Sequence, residues 1–166
     1  MTKKQDNILV AVSAPKELQR HFVAVYGSLK KGFGNHRLIA NSELVSKGIT
    51  PPIFKMISFL AYPGILDGNK NIEVEVYSVD SLTFKRLDGL EGYPNFYNRK
   101  LVNILKEDKA LIPNYEPTDE DILEAWIYYL DTSTENYYHS KPDYLNLSKT
   151  YPESLEVISW DKDKYN

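Results

Sequence analysis

Ile72-Glu73-Val74-Glu75-Val76 alternates apolar and acidic residues without a break, and Tyr77 follows in the next polar place. That period of two fits an extended strand with one face buried and one wet. Asp67-Gly68-Asn69-Lys70-Asn71 stands before it as a hairpin signal. After it the period lengthens. Asp80 or Ser81 can cap a helix running to about Leu90, with Leu82, Leu87 and Leu90 spaced to share a core-facing side and Phe84 near its edge. Gly92 is the natural stop for this helix, and Pro94 forbids continuation. The other strand-like runs are Phe22–Tyr26, Glu43–Ile49, Ile53–Leu60, Lys100–Leu105 and Glu124–Leu130. Five to six short strands around one clear helix predict an α+β fold, most simply a small curled sheet or mixed β-barrel with flanking helices.

The connecting segments read less sharply. Lys30-Lys31-Gly32-Phe33-Gly34 reads as a flexible basic loop, and Asn35 as the N-cap of a helix over His36–Asn41. Tyr62-Pro63-Gly64 is expected to turn, and Glu107–Asp121 to form a polar loop. Residues 1–20 are polar apart from Ile8–Val12, which could add an edge strand, with a helical turn over Pro15–Arg20. From Asp131 onward the chain is rich in Tyr, Ser, Asn and Pro. It could pack as irregular arms or a short helix around Tyr144–Thr150.

A chain of 166 residues suits one domain with a proper core. A net charge of −3 without a basic stripe argues against a nucleic-acid partner. The absence of cysteine removes disulfides, thiolate nucleophiles and sulfur-ligated metals, and fits a reducing compartment. Ile8–Val12 is too short for a secretion-signal core, and no run approaches membrane-spanning length, so a cytoplasmic location is expected. Nothing in the sequence sets the oligomeric state.

Two stretches carry chemistry. In Val25-Tyr26-Gly27-Ser28-Leu29 an apolar strand opens into a turn. Gly27 is expected to adopt backbone angles closed to other residues, so that the N–H groups of Ser28 and Leu29 face a shared concavity. Such paired amides bind anions and polarised carbonyl oxygens; an ordinary strand-to-loop turn is the plainer reading. The second stretch is Leu90-Glu91-Gly92-Tyr93-Pro94. A carboxylate at a helix C-terminus opposes the helix dipole, and apolar flanks raise its pKa towards neutrality, where it can transfer protons. The alternative is a solvent-facing glutamate. Asp88 could pair with Glu91 or face solvent. His21, His36 and His139 lack companion carboxylates at ligand spacing, so no metal site is expected. Ser28 has no evident histidine base, and the glycine loop lacks the phosphate-binding pattern.

Taken together, these stretches resemble the gamma-glutamylcyclotransferase-like family, which includes gamma-glutamylamine cyclotransferase and the plant avirulence-induced proteins. The similarity rests on Val25–Leu29 with Gly32, Asn35 and Arg37, then Tyr62-Pro63-Gly64, Leu87–Pro94, Phe96-Tyr97-Asn98-Arg99 and Ala125–Tyr128. It spans roughly residues 22–131, leaving an N-terminal extension over 1–21 and a C-terminal one over 132–166 that packs on the domain. The resemblance implies a small mixed β-barrel and a reaction without cofactor or metal. In it the α-amine of a γ-glutamyl compound attacks its own γ-carbonyl, releasing 5-oxoproline and an amine. It further implies Glu91 as the general acid/base, with Tyr26, Gly27, Ser28 and Leu29 holding the substrate; with that chemistry, Tyr26, Tyr62 and Tyr97 are expected to wall the pocket and offer hydroxyls. Arg99 is open between binding substrate and supporting the loop. A module that kept the pocket without the reaction is the alternative.

Overall fold

Val23-Ala24-Val25-Tyr26 is apolar at every position, the pattern of a strand covered on both faces. In the computed structural model, which describes residues 19–59, 62–131, 141–142 and 147–161, this run lies at the centre of the fold. Strand β1 (Arg20–Val25) pairs antiparallel with β5 (Asn71–Asp80) and parallel with β7 (Ile122–Tyr129). β5 continues antiparallel to β2 (Glu43–Ile49), β2 to β6 (Asn98–Lys106), and β6 back to β7. The five strands therefore close on themselves as a mixed barrel. A separate sheet joins β3 (Phe54–Ser58) to β4 (Pro63–Asp67) and to β8 (Lys141–Pro142).

Register explains the two-sided core. Ala24 stands opposite Val76 on β5 and Ile127 on β7, and all three point to one apolar cluster that also takes Val74, Ile104 and Ala125. Val23 stands opposite Tyr77 and Trp126, on the other face. There it joins Val25, Val79 and Leu130 under the helix α1 (Ser81–Glu91). Trp160 and Ile158, near the end of the described chain, are buried in the first cluster, because β9 (Val157–Ile158) adds parallel to the start of β5.

Several connections differ from expectation. Tyr62-Pro63-Gly64 is the entry to β4, not a turn; proline is admissible as the first residue of a strand. The segment after Asn35 is a short 3-10 turn, Gly34–Leu38, capped by Phe33, so Asn35 lies inside it. Glu107–Asp121 contains a one-turn helix α2 (Glu107–Ala110) and a 3-10 turn, Asp119–Asp121. β2 has the predicted ends, but a register shift between Leu44 and Ser46 breaks its alternation, leaving Leu44 and Val45 exposed. Arg20 belongs to β1, whereas the strand expected over Ile8–Val12 and the rest of the turn over 15–18 lie outside the described residues. The helix expected around Tyr144–Thr150 is absent from its described part, where Leu147 bridges to Ile158.

Candidate active site

The acidic half of the site is made by α1. Asp80 caps it, accepting the Thr83 N–H at 2.7 Å. The stripe it turns inward is Phe84, Leu87, Asp88 and Glu91, at i, i+3, i+4 and i+7. Leu82 and Leu90, expected in the core, are instead 51% and 43% exposed. Two of the four inward positions are acids, which a count of leucines passes over. Gly92 then takes the left-handed conformation (φ +64°) that ends the helix. The chain folds back through Phe96 N–H to Gly92 O at 2.8 Å and Tyr97 N–H to Glu91 O at 3.2 Å. Glu91 is thus held from the helix on one side and from the approach to β6 on the other.

Asp88 does not face solvent. It accepts the Tyr128 hydroxyl at 2.7 Å and pairs with Arg99, whose Nε lies 3.0 Å from Oδ1. The Arg99 guanidinium also stacks 4.4 Å from the ring centres of Phe84 and Tyr93 and 4.6 Å from that of Trp126. Of the two roles open to Arg99, this arrangement is the supporting one: it fastens the end of α1 to β6 and β7.

The backbone half of the site follows β1. Lys30 N–H donates to Gly27 O at 3.0 Å and closes a tight turn. Ser28 O accepts from Asn35 N–H at 3.0 Å, and Leu29 O accepts from His36 Nδ1–H at 2.9 Å. A trans peptide directs each N–H opposite to the preceding carbonyl. Fixing Gly27 O and Ser28 O therefore also fixes the amides of Ser28 and Leu29, which have no hydrogen-bond partner among the described residues. Ser28 Oγ receives a hydrogen bond from Asn35 Nδ2 at 2.9 Å. Gly27 is required for a different reason than expected. Its φ is not positive; a Cβ there would stand 2.7 Å from Cγ and Cδ of Pro63, which β4 brings against the turn. Lys30 is not part of a loose loop either. It is buried, donates from Nζ to Trp160 O at 2.7 Å, and burial lowers its pKa.

The two halves meet across a pocket of about 480 Å³. Tyr26, Gly27, Ser28, Leu29, Tyr62, Glu91 and Tyr97 all line it, and Glu91 is the only charged side chain on its described walls. Burial pushes the Glu91 carboxyl up from 4.5 to about 7. The tyrosines wall the pocket, but two of their hydroxyls are engaged. Tyr26 donates to Tyr128 O at 2.8 Å and Tyr97 to Pro63 O at 2.7 Å. Burial first, and then the Glu91 charge, raises the Tyr97 pKa; burial is also the main cause for Tyr26. Both phenols therefore stay protonated. Tyr128, Asn35, Leu90 and Phe96 complete the lining. The signal for Tyr128 in the sequence is its phase, since in β7 it falls out of step with Ala125 and Ile127. Among the described residues no group of acidic or histidine side chains is arranged to hold a metal, and no helix is long and apolar enough to cross a membrane.

Residues 23–148 match the family described as "Gamma-glutamyl cyclotransferase, AIG2-like". A protein of Methanocaldococcus jannaschii named "Putative gamma-glutamylcyclotransferase" is 38% identical over 114 residues, covering 68% of this chain and 86% of its own. One of the same name from Vibrio cholerae is 37% identical over 83 residues, covering 50% of this chain and 72% of its own. An AIG2-like protein from Mus musculus shares the fold, with a TM-score of 0.58 at 24% identity over 86% of this chain and 89% of that one. With the family matching over most of its length, the chain belongs to the gamma-glutamyl cyclotransferase, AIG2-like family of enzymes.

Proposed function

We propose that the protein cyclises a γ-glutamyl amine or related small amide to 5-oxoproline, with Glu91 as the general acid/base. The observation that carries this reading is the placing of a buried carboxyl of pKa about 7 on the same pocket as the Ser28–Leu29 amides. At neutral pH a large share of Glu91 is ionised and can take a proton from the substrate's α-ammonium. The freed amine nitrogen attacks the γ-carbonyl carbon, a C–N bond forms, and the carbonyl oxygen becomes an oxyanion. Collapse of that intermediate breaks the bond to the leaving nitrogen, which takes the proton back from Glu91; the ring nitrogen gives its second proton to the regenerated carboxylate, which passes it on so that the amine leaves as its ammonium. The products are 5-oxoproline and the free amine.

The nucleophile belongs to the substrate, so no protein thiol or serine–histidine pair is needed. The pocket's task is to hold the γ-glutamyl chain bent for closure of a five-membered ring, an effect worth about 7–11 kcal/mol in well-oriented reactions. The amides of Ser28 and Leu29 hold either a substrate carboxylate or the oxyanion. Tyr26, Tyr62 and Tyr97 confine the chain. A cysteine-free composition fits action in the reducing cytoplasm.

Incubation with a panel of γ-glutamyl amides, assayed for 5-oxoproline, tests the proposal. Glu91→Gln should abolish turnover while the protein stays folded. A Glu91→Gln protein that still releases product would remove Glu91 from the mechanism. Ligand-dependent thermal shifts that survive the substitution, with no product from any amide, would support the binding-module alternative.

A further inference from the structure

Lys30, whose N–H closes the Gly27 turn, lines a second pocket of about 340 Å³ that shares no residue with the first. The volume falls within the range of small-molecule sites. Lys31, Phe33, Glu73, Trp160 and Asp161 stand around it. Its walls carry hydrogen-bonding capacity that the described chain does not fill. Lys30 is only 8% exposed, yet its ammonium has a single acceptor among the described residues, Trp160 O at 2.7 Å. An ammonium has three N–H donors, and buried donors without partners are unfavourable. The Phe33 ring, its centre 5.4 Å from Nζ, attracts the charge without taking a donor in an ordinary hydrogen bond. The charges of Glu73, Glu75 and Asp161 act on Lys30, but none of these carboxylates forms an ion pair with it among the described residues. Glu75 is engaged elsewhere, accepting Lys31 N–H at 2.9 Å and the Tyr77 hydroxyl at 2.8 Å. Glu73 lines the pocket, half-buried, with no side-chain partner among the described residues.

We propose that this second pocket binds a small zwitterion, a free α-amino acid, with its carboxylate on the Lys30 ammonium and its own ammonium on Glu73. Charge balance decides the class of ligand. A plain carboxylate would take the open donors of Lys30 but set its charge against Glu73 and Asp161. A plain amine would pair with Glu73 but stand against Lys30. A molecule carrying both charges a few ångströms apart meets both walls, through charge-assisted hydrogen bonds, which are about twice as strong as neutral ones. Phe33 supplies an apolar wall for a short aliphatic side chain. Because the two pockets have no lining residue in common, this site stands independently of the reaction proposed at Glu91.

The experiment titrates the full chain calorimetrically with alanine, propionate and n-propylamine, three probes of similar size that carry both charges, the negative one and the positive one. Alanine should bind saturably, and at least tenfold more tightly than either of the others. Glu73→Gln should weaken alanine at least tenfold, and Glu73→Lys should reverse the order so that propionate binds more tightly than alanine. Glu91→Gln, on the other pocket, should leave the alanine affinity within twofold of the parent. No saturable alanine binding, or propionate or propylamine binding as tightly as alanine, overturns the proposal on the unaltered protein, whatever becomes of the variants. Alanine binding that Glu91→Gln abolishes and Glu73→Gln leaves intact also overturns it, by moving the ligand to the first pocket.

Discussion

Replacing Glu91 by glutamine should make the protein more stable at alkaline pH, and by a margin that depends on pH in a defined direction. In the folded chain burial holds the carboxyl pKa near 7, against 4.5 for an unburied glutamate. Between those values the folded protein keeps a proton that the unfolded chain has released. Stability is therefore fully present below pH 4.5, falls as pH climbs through the interval, and is lowest above pH 7. At 1.36 kcal/mol for each unit, the full difference approaches about 3.4 kcal/mol; water in the open pocket screens part of it, leaving about 2 kcal/mol. Glutamine has nearly the same shape and never ionises. Urea denaturation at a series of pH values should show the two proteins near parity at pH 4. By pH 8 the variant should lead by about 2 kcal/mol, equivalent to roughly 4–8 °C in Tm for a chain of this size. A stability difference that stays flat with pH, or a variant weaker than the parent at pH 8, would refute the claim that the Glu91 carboxyl is desolvated in the pocket.

Gly27→Ala should destabilise by about 1–3 kcal/mol, seen as a lower denaturation midpoint, because its methyl group meets the rigid Pro63 ring at 2.7 Å. Arg99→Ala should cost about 2–3 kcal/mol in the same assay, since it strips Asp88 of its ion-pair partner and empties the space between three aromatic rings; Arg99→Lys should recover little, as an ammonium cannot stack as the flat guanidinium does. Gly89→Ala should raise the midpoint, stabilising by roughly 0.5–1 kcal/mol, because position 89 is an exposed helical site without a positive φ, where an added methyl group meets only open space.

What can be read from the sequence is whatever depends on near neighbours. The bounds of β2, the Asp80 cap and the Gly92 stop follow from patterns within a few residues, and the structure has them. The pocket's two halves are recognisable because each is a contiguous motif. The inward face of α1 escapes such reading for a physical reason: two of its four positions are acids whose burial depends on Tyr128, Arg99 and the pocket, so a search for leucines finds the wrong side. Gly27 suggests a need for backbone freedom, but the demand comes from β4, a strand that the Tyr-Pro-Gly turn signature conceals. Lys30 looks like loop charge because its acceptor, Trp160 O, lies 130 residues further on.

The contact between Lys30 and Trp160 places a condition on any shortened form of this protein. The family match ends at residue 148, yet Val157, Ile158 and Trp160 are buried beyond it, and the Trp160 carbonyl receives the ammonium of the residue that closes the Gly27 turn. Cutting the chain at the edge of the match would take the carbonyl acceptor from a buried cation, leaving it the charges of Glu73 and Glu75, and loosen the turn whose peptide groups line the pocket. Sequence drift in those last residues can accordingly retune the pocket from behind, without a single change to its walls.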